Sequence, residues 1–486
     1  MKILKQYILG LVLTAGVLTL VSCKKEFLEI DPKGSIITSK TQDYELALNG
    51  TYISSAFTAS IYMGDEVGVQ NAYFSGATLR MQRLFKYEDR IYQSDEIPTE
   101  IDNTEGYVRR LYLYNKIINE IMDSEGGTLQ QKNAIMAEAK AGRAICNFMF
   151  LSDFSKPYNE KTATTDLGIP SLTQADVTQN SFTRLSQKEN YDFIIQDLTE
   201  AIPHLGPLVH RRKISKLAAQ FYLARIFMTM HRFKDAENQI NNAFSELSSA
   251  NIGLRLYDYN EVLSATGQNN WLPFSPFGYS KKPLAANYTE TIYDIQASSF
   301  QLGSHNTFVL SPKTALLYGS GDKRIDLFDP MNLFEEEILA KGMRRPIGFF
   351  VMIGPSLPDL YLMSAECKAR DGNLGGAIED LEKLRVNRLS EDAAKVPANI
   401  AADQQALVRF ILDERIREFA FTGLRWLDMR RLSQDPIYSD HVNYVHEFFD
   451  ADGNVVKKTE PFKKERFALK FGERMLRESQ GLQENP

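Results

Sequence analysis

The chain has 486 residues, with 56 Lys and Arg against 62 Asp and Glu, and a formal net charge of −6. A mildly acidic chain without a basic cluster is a poor match for nucleic acid, and no such partner is expected. Its length suits one large domain or two or three ordinary ones.

The first element is a leader. Met1-Lys2-Ile3-Leu4-Lys5 is a short basic stretch, Tyr7 to Val21 is an apolar run, and Leu20-Val21-Ser22-Cys23 closes it. The run is too short to span a bilayer comfortably and reads as the core of a signal peptide. Residues 1–22 are expected to be removed and Cys23 to be lipidated, with a diacylglyceryl group on sulfur and acylation (palmitate or a similar chain) on the new amine. Several chains at about 0.8 kcal/mol per buried CH₂ anchor durably where one would be marginal. The alternative is an ordinary secreted protein whose leader happens to end near a Cys; the position of Cys23 at the expected cut favours the lipoprotein. Cleavage removes Lys2 and Lys5 and no acid, so the mature 464 residues carry −8.

Helical periodicity dominates the rest of the chain, with apolar residues three and four apart in Tyr44–Phe57, Val108–Met122, Ile135–Phe154, Tyr191–Ile202, Ile214–Met230, Phe233–Leu247, Leu357–Ala369, Leu374–Leu384 and Leu407–Leu432. Strand signals are few: Ile292–Ile295, Phe349–Ile353, and a late hairpin of Tyr444–Phe449 with Asn454–Lys457 around Asp452-Gly453. Long Gly/Pro/Asn/aromatic segments at 58–104, 155–185 and 255–289 exceed ordinary connectors, and such segments tend to carry function. Cys146 and Cys367 fall within helical patterns and read as buried thiols, although spacing leaves a disulfide between them open.

Two helix pairs are spaced alike. Leu223, Ala224, Phe227, Phe233, Ala236, Ile240 and Ala243 fall on tetratricopeptide positions, and Tyr361, Ala365, Leu374, Ala377, Leu381 and Leu384 nearly repeat them around Asp371-Gly372-Asn373. Small Ala residues allow close helix approach while Leu and aromatic side chains fill the groove. A third pair joins Ile135–Phe154 to Tyr191–Ile202 across the 155–185 insertion. The expected fold is mostly α: tetratricopeptide-like hairpins, long loops and a few short strands in one body.

Motifs along the chain resemble those of the SusD/RagB family. Phe27-Leu28-Glu29-Ile30-Asp31-Pro32 follows the lipidated Cys; Ala137-Glu138-Ala139-Lys140-Ala141-Gly142-Arg143-Ala144 is similar to a Glu-Ala-x-x-x-Arg-Ala helix; Lys216-Leu217-Ala218-Ala219 starts another helix. Leu360-Tyr361-Leu362-Met363-Ser364-Ala365-Glu366 resembles Val-Tyr-Leu-x-x-Ala-Glu, and Ile411 to Phe421 with Gly423, Arg425-Trp426, Asp428 and Arg431 is the most specific match. Phe471-Gly472 stands where members commonly carry Ile-Pro, and Ile353-Gly354-Pro355 lies near the expected Pro-Val. The resemblance implies a SusD-like fold over 23–250 and 251–486 as one body. It also implies a lipid-anchored, surface-exposed position on the outer membrane, a TonB-dependent (SusC-like) barrel as partner, and a glycan, or in some relatives a peptide, as ligand. No cofactor or metal motif carries over.

Other chemistry is weaker. Asp413, Glu414, Glu418 and Asp428 among Arg415, Arg417 and Arg425 suggest paired carboxylates for a surface glycoside hydrolase. The helical spacing of Glu414 and Glu418 with Arg417 and Arg425 in reach instead favours salt-bridged packing. His441 and His446 are misspaced for one helix face, and Asp450-Ala451-Asp452-Gly453-Asn454 has its Gly too early for a calcium loop. Sugars present apolar faces and polar rims, so the candidate ligand residues are aromatic, Asn and Asp side chains in the loops. One group is Tyr62, Asp65, Asn71, Tyr73 and Phe74; the other is Asn270, Trp271, Phe274, Phe277 and Tyr279, with Trp271 foremost. Against that stands the plainer alternative that these aromatics pin loops to helices. A protein-binding tetratricopeptide adaptor is the third possibility.

Overall fold

A computed structural model describes residues 39–50, 59–92, 103–267, 270–272, 274–275, 278–279, 281–298, 305–348 and 350–486; the leader, Cys23 and the 27–32 motif lie outside them. The main elements are α1 (Thr41–Leu48), β1 (Val67–Gln70), α2 (Leu79–Phe85), α3 (Asn103–Glu120), α4 (Leu129–Phe154), α5 (Gln187–Ala201), α6 (Lys216–Thr229), α7 (Phe233–Glu246), β2 (Gln296–Ser298), β3 (Phe308–Leu310), β4 (Phe350–Met352), α8 (Leu357–Arg370), α9 (Leu374–Arg385), α10 (Gln404–Phe419), α11 (Leu424–Leu432), β5 (Glu447–Phe449), β6 (Val455–Lys458) and α12 (Glu473–Glu478). Among the described residues no helix is long and apolar enough to cross a membrane.

The two expected hairpins form. α6 packs on α7 and α8 on α9, each across a three-residue turn, and α7 also packs on α8. Reversal in so few residues needs a left-handed backbone. Gly372 supplies it in one turn (φ 84°) and His231 in the other (φ 60°), with the His231 ring held 2.9 Å from the Arg431 carbonyl. Ala236, Ile240, Ala243, Ala365, Ala377 and Leu381 are all fully buried at the seams. The interrupted pair also forms: α4 packs along α5, fastened by a bidentate Arg143–Asp197 bridge at 2.8 Å. Helix α3 lies against α4 as well.

Buried side chains from Tyr44 through Leu482 form one cluster, so both halves of the chain contribute to a single core. Leu362, Leu381 and Leu412 belong to a second cluster, built from α8, α9 and α10. Cys146 and Cys367 are both buried, free thiols.

Three expected elements need correction. The run 407–432 is two helices, because Phe421 and Gly423 adopt positive φ (60° and 83°) and redirect the chain between α10 and α11. Residues 292–295 are not a strand. The Ile292 and Tyr293 amides donate to the Pro355 carbonyl and that of Asp294 to Arg211, and the ladder begins only at β2, which pairs with β4. The first helix ends at Leu48, and 51–58 lie outside the described residues, as does Phe349 before β4. The late hairpin forms as expected, and it joins a sheet that sequence did not reveal. The order is β6-β5-β1-β3, with β1 parallel to β5 and antiparallel to β3.

Candidate functional site

Three of the four C-terminal carboxylates are sealed. The Glu414 side chain is 0% exposed and meets Arg385, Arg417 and Arg324 at 2.5, 2.6 and 2.7 Å. Glu418 meets Arg388 at 2.8 Å and Arg324 at 3.0 Å, and Asp428 meets Arg415 and Arg431 at 2.7 and 2.9 Å. Burial alone would push the pKa of Glu414 and Asp428 up, but the facing guanidiniums outweigh it and hold both carboxyls well below the usual carboxylate range. Such permanently ionised groups have no proton to give at neutral pH. Arg425 does not join Glu414 or Glu418 as the spacing suggested; it clamps Asp65 at 2.6 and 2.8 Å. His441 pairs with Asp413 at 3.0 Å. His446 is buried and stacked between Phe85 and Tyr87, and the 450–454 segment is the hairpin turn, with the Asn454 amide donating to Asp450.

Most of the sequence-derived candidates also belong to the scaffold. Trp271 is only 2% exposed. Its ring packs among Tyr257, Tyr259 and Tyr288 at 5.2–6.0 Å, and its amide donates to the Val262 carbonyl. The long 255–289 segment thus builds a small core of its own around the indole, the stabilising use of a large aromatic. Tyr279 is half-buried beside it and donates its hydroxyl to the Asp326 carbonyl at 3.0 Å. Phe274 pairs with Tyr279 through the backbone, and Asn270 donates to the Ala265 carbonyl; the Phe274 side chain and Phe277 lie outside the described residues. In the other group Tyr62 is buried against Phe308, Phe74 packs on Phe448 and Phe85, and the Asp65 carboxylate is held in its Arg425 clamp. Burial pushes the Asp65 pKa up, and Arg425 more than reverses it, leaving a lowered value.

What remains is a surface at the end of β1. The turn Asn71–Gly76 buries none of its residues; Asn71 is exposed and Tyr73 is half-exposed. Tyr73 donates to Glu335 Oε1 at 2.7 Å, and its pKa is raised by that bond. Gln70 donates to the Asn306 carbonyl and to Asn332 Oδ1 at 2.5 and 2.6 Å, and Asn332 donates to the other Glu335 oxygen at 2.8 Å. The Leu333 amide closes the set on Asn306 Oδ1 at 2.6 Å. At the tip Phe334 is 84% exposed on a left-handed backbone (φ 64°), where a bulky residue is uncommon. An outward aromatic therefore stands beside a fixed array of amides, a hydroxyl and a carboxylate. Of the residues on this surface, Asn71 and Tyr73 were among the sequence candidates, and Phe334, Asn332, Glu335 and Asn306 were not. The available signal was a lone Phe against Glu335-Glu336-Glu337 outside any apolar periodicity.

Residues 357–480, from α8 into the C-terminal segment, match the sequence model of the SusD family. The whole described body shares its fold with solved members of the SusD superfamily. One, from Bacteroides thetaiotaomicron, is 17% identical with a TM-score of 0.67, covering 92% of this chain and 100% of its own.

Residues 357–480 thus carry the SusD family's sequence pattern, within a body that has the fold of the SusD superfamily.

A putative sugar binding protein from Bacteroides vulgatus is similar at 16% identity and a TM-score of 0.67, over 93% of this chain and 99% of that one. The surface glycan-binding protein A of Bacteroides uniformis is 15% identical with a TM-score of 0.60, over 91% and 99%. Comparison with curated protein sequences gives no match. At such identities the likeness establishes the fold alone.

Proposed function

We propose that this chain is a SusD/RagB family member, a lipid-tethered outer-membrane protein that captures a glycan or oligosaccharide and hands it to a TonB-dependent barrel. The observation that carries the binding part is the Tyr73–Phe334 surface, where an exposed ring adjoins amides and a carboxylate already held in place by one another. Pyranose rings stack on such aromatics and offer their hydroxyls to such rims. The sugar- and glycan-binding proteins that share the fold support the reading, as does the leader ending in Cys23. The role is capture and not hydrolysis, because Glu414 and Glu418 are tied to arginines within the core.

The test is affinity electrophoresis of the lipid-free protein through gels containing starch, xylan, β-glucan or pectin. At least one polysaccharide should retard it, and Tyr73→Ala with Phe334→Ala should weaken retention about tenfold or more, as expected for loss of two stacking rings. No retardation by any glycan, or equal retardation of the double variant, refutes the assignment. Hand-over is tested by mild-detergent extraction of the native membrane, from which an outer-membrane β-barrel should co-purify.

A further inference from the structure

A second void lies elsewhere on the molecule and shares no residue with the Tyr73 surface. It holds about 500 Å³ between α3, the 172–182 loop and α12, within the range of small-molecule pockets. Two other cavities hold about 50 and 10 Å³, room for a few waters at most.

Hydrogen bonds among the flanking elements fix its walls. Asn115, fully buried on α3, donates to the Leu172 carbonyl at 2.9 Å and accepts from Arg143 at 3.0 Å. One turn on, Asn119 Oδ1 takes the Ala175 amide. At the far end Phe182 and Asn180 exchange backbone bonds with Gln480 at 2.9 and 2.8 Å. A loop tied at both ends this way has its shape set by the fold's own bonds.

The lining selects a ligand. Val108, Leu172 and Met475 give an apolar floor, and Tyr112 and Phe182 add two rings. At the mouth stands Val177, a lining residue that is 80% exposed. Polar groups from Gln174 and Gln179 also face the space, and its charges balance, Arg109 and Arg474 against Asp176 and Glu478. Balanced charge disfavours a net ion, and a mixed floor and rim disfavour a purely apolar molecule. We infer that this cavity is a second saccharide site, taking one or two rings of an uncharged sugar between Tyr112 and Phe182. The inference rests on the reading of the chain as a glycan binder but not on the Tyr73 surface.

The test monitors the Met475 methyl signal of methionine-methyl-labelled protein by NMR during titration with cellobiose, maltose and xylobiose. Met475 should shift with at least one disaccharide, also in the Tyr73→Ala/Phe334→Ala variant. Tyr112→Ala should weaken that response about tenfold, and Val177→Trp, at an exposed position that leaves the fold intact, should block the mouth and abolish it. A Met475 signal unmoved by every disaccharide overturns the site, as does a response to indole alone or equal binding by both cavity variants. Retention on polysaccharide gels without a Met475 response would fail this inference and leave the capture role standing; the reverse pattern would fail the Tyr73 surface and leave the cavity.

Discussion

Glu414→Gln isolates the part of the structure that most resembles catalytic machinery. The change preserves shape and removes one charge from a site enclosed by Arg324, Arg385 and Arg417, each within 2.7 Å and each side chain at most 8% exposed. Removing one partner of a buried ion pair costs about 3–5 kcal/mol, because the other charge stays buried without compensation. Unfolding entropy of about 2.1 cal/mol/K per residue over a chain of this size gives roughly 1 kcal/mol per degree, so Tm should fall by roughly 3–5 °C. The pH dependence carries a sign. The folded carboxyl titrates well below its ordinary value of 4.5, so its contribution is complete above about pH 4.5 and is lost as pH falls towards the folded value. Thermal melts of the lipid-free protein at pH 7 and pH 3.5 should therefore show a large gap between wild type and variant at the first and a smaller one at the second. Asp413→Asn, on the partly exposed partner of His441, is the control and should change stability by less than about 0.5 kcal/mol. An unchanged Tm for Glu414→Gln at pH 7, together with loss of a hydrolytic activity, would refute the structural role and restore an enzymatic one.

The remaining predictions use other parts of the molecule. Glu66 is 1% exposed, and burial, with Asp65 beside it, pushes its pKa up to about 8. Its contribution is therefore complete below about pH 4.5 and lost as pH rises towards 8, so Glu66→Gln should stabilise by about 3 kcal/mol at pH 7 and converge with wild type near pH 4.5. Melts across that range check this, and a Gln variant no more stable than wild type at pH 8 contradicts it. Trp271→Ala should cost about 3–5 kcal/mol and open the 255–289 segment to limited proteolysis, with no direct loss of glycan contact; weakened binding at undiminished stability would return the indole to a site. Cys23→Ala should yield a folded protein that leaves the detergent phase, and membrane fractionation of this variant without its barrel would refute the anchor.

Local chemistry was legible in sequence wherever one helix decided it. The Ala and Leu spacing of α6–α9 dictated two hairpins because a helix repeats every 3.6 residues whatever surrounds it. The proposed leader and its Cys23 likewise rest on a linear signal. Helical spacing also showed that Glu414 would face Arg417, three residues on along the same helix. It could not show that Arg425 turns away to Asp65, since that depends on the left-handed Phe421 and Gly423. β1 was hidden because its partners, β3 and β5, lie more than 200 residues away in the chain. The proposed ligand surface was hidden for the same reason. Asn71 and Tyr73 looked suitable by composition, but composition served Trp271 equally well, and only packing buried one ring and left Phe334 in water. Whether an aromatic binds a ligand or fills a core depends on which side chains arrive around it, and those arrive from distant parts of the chain.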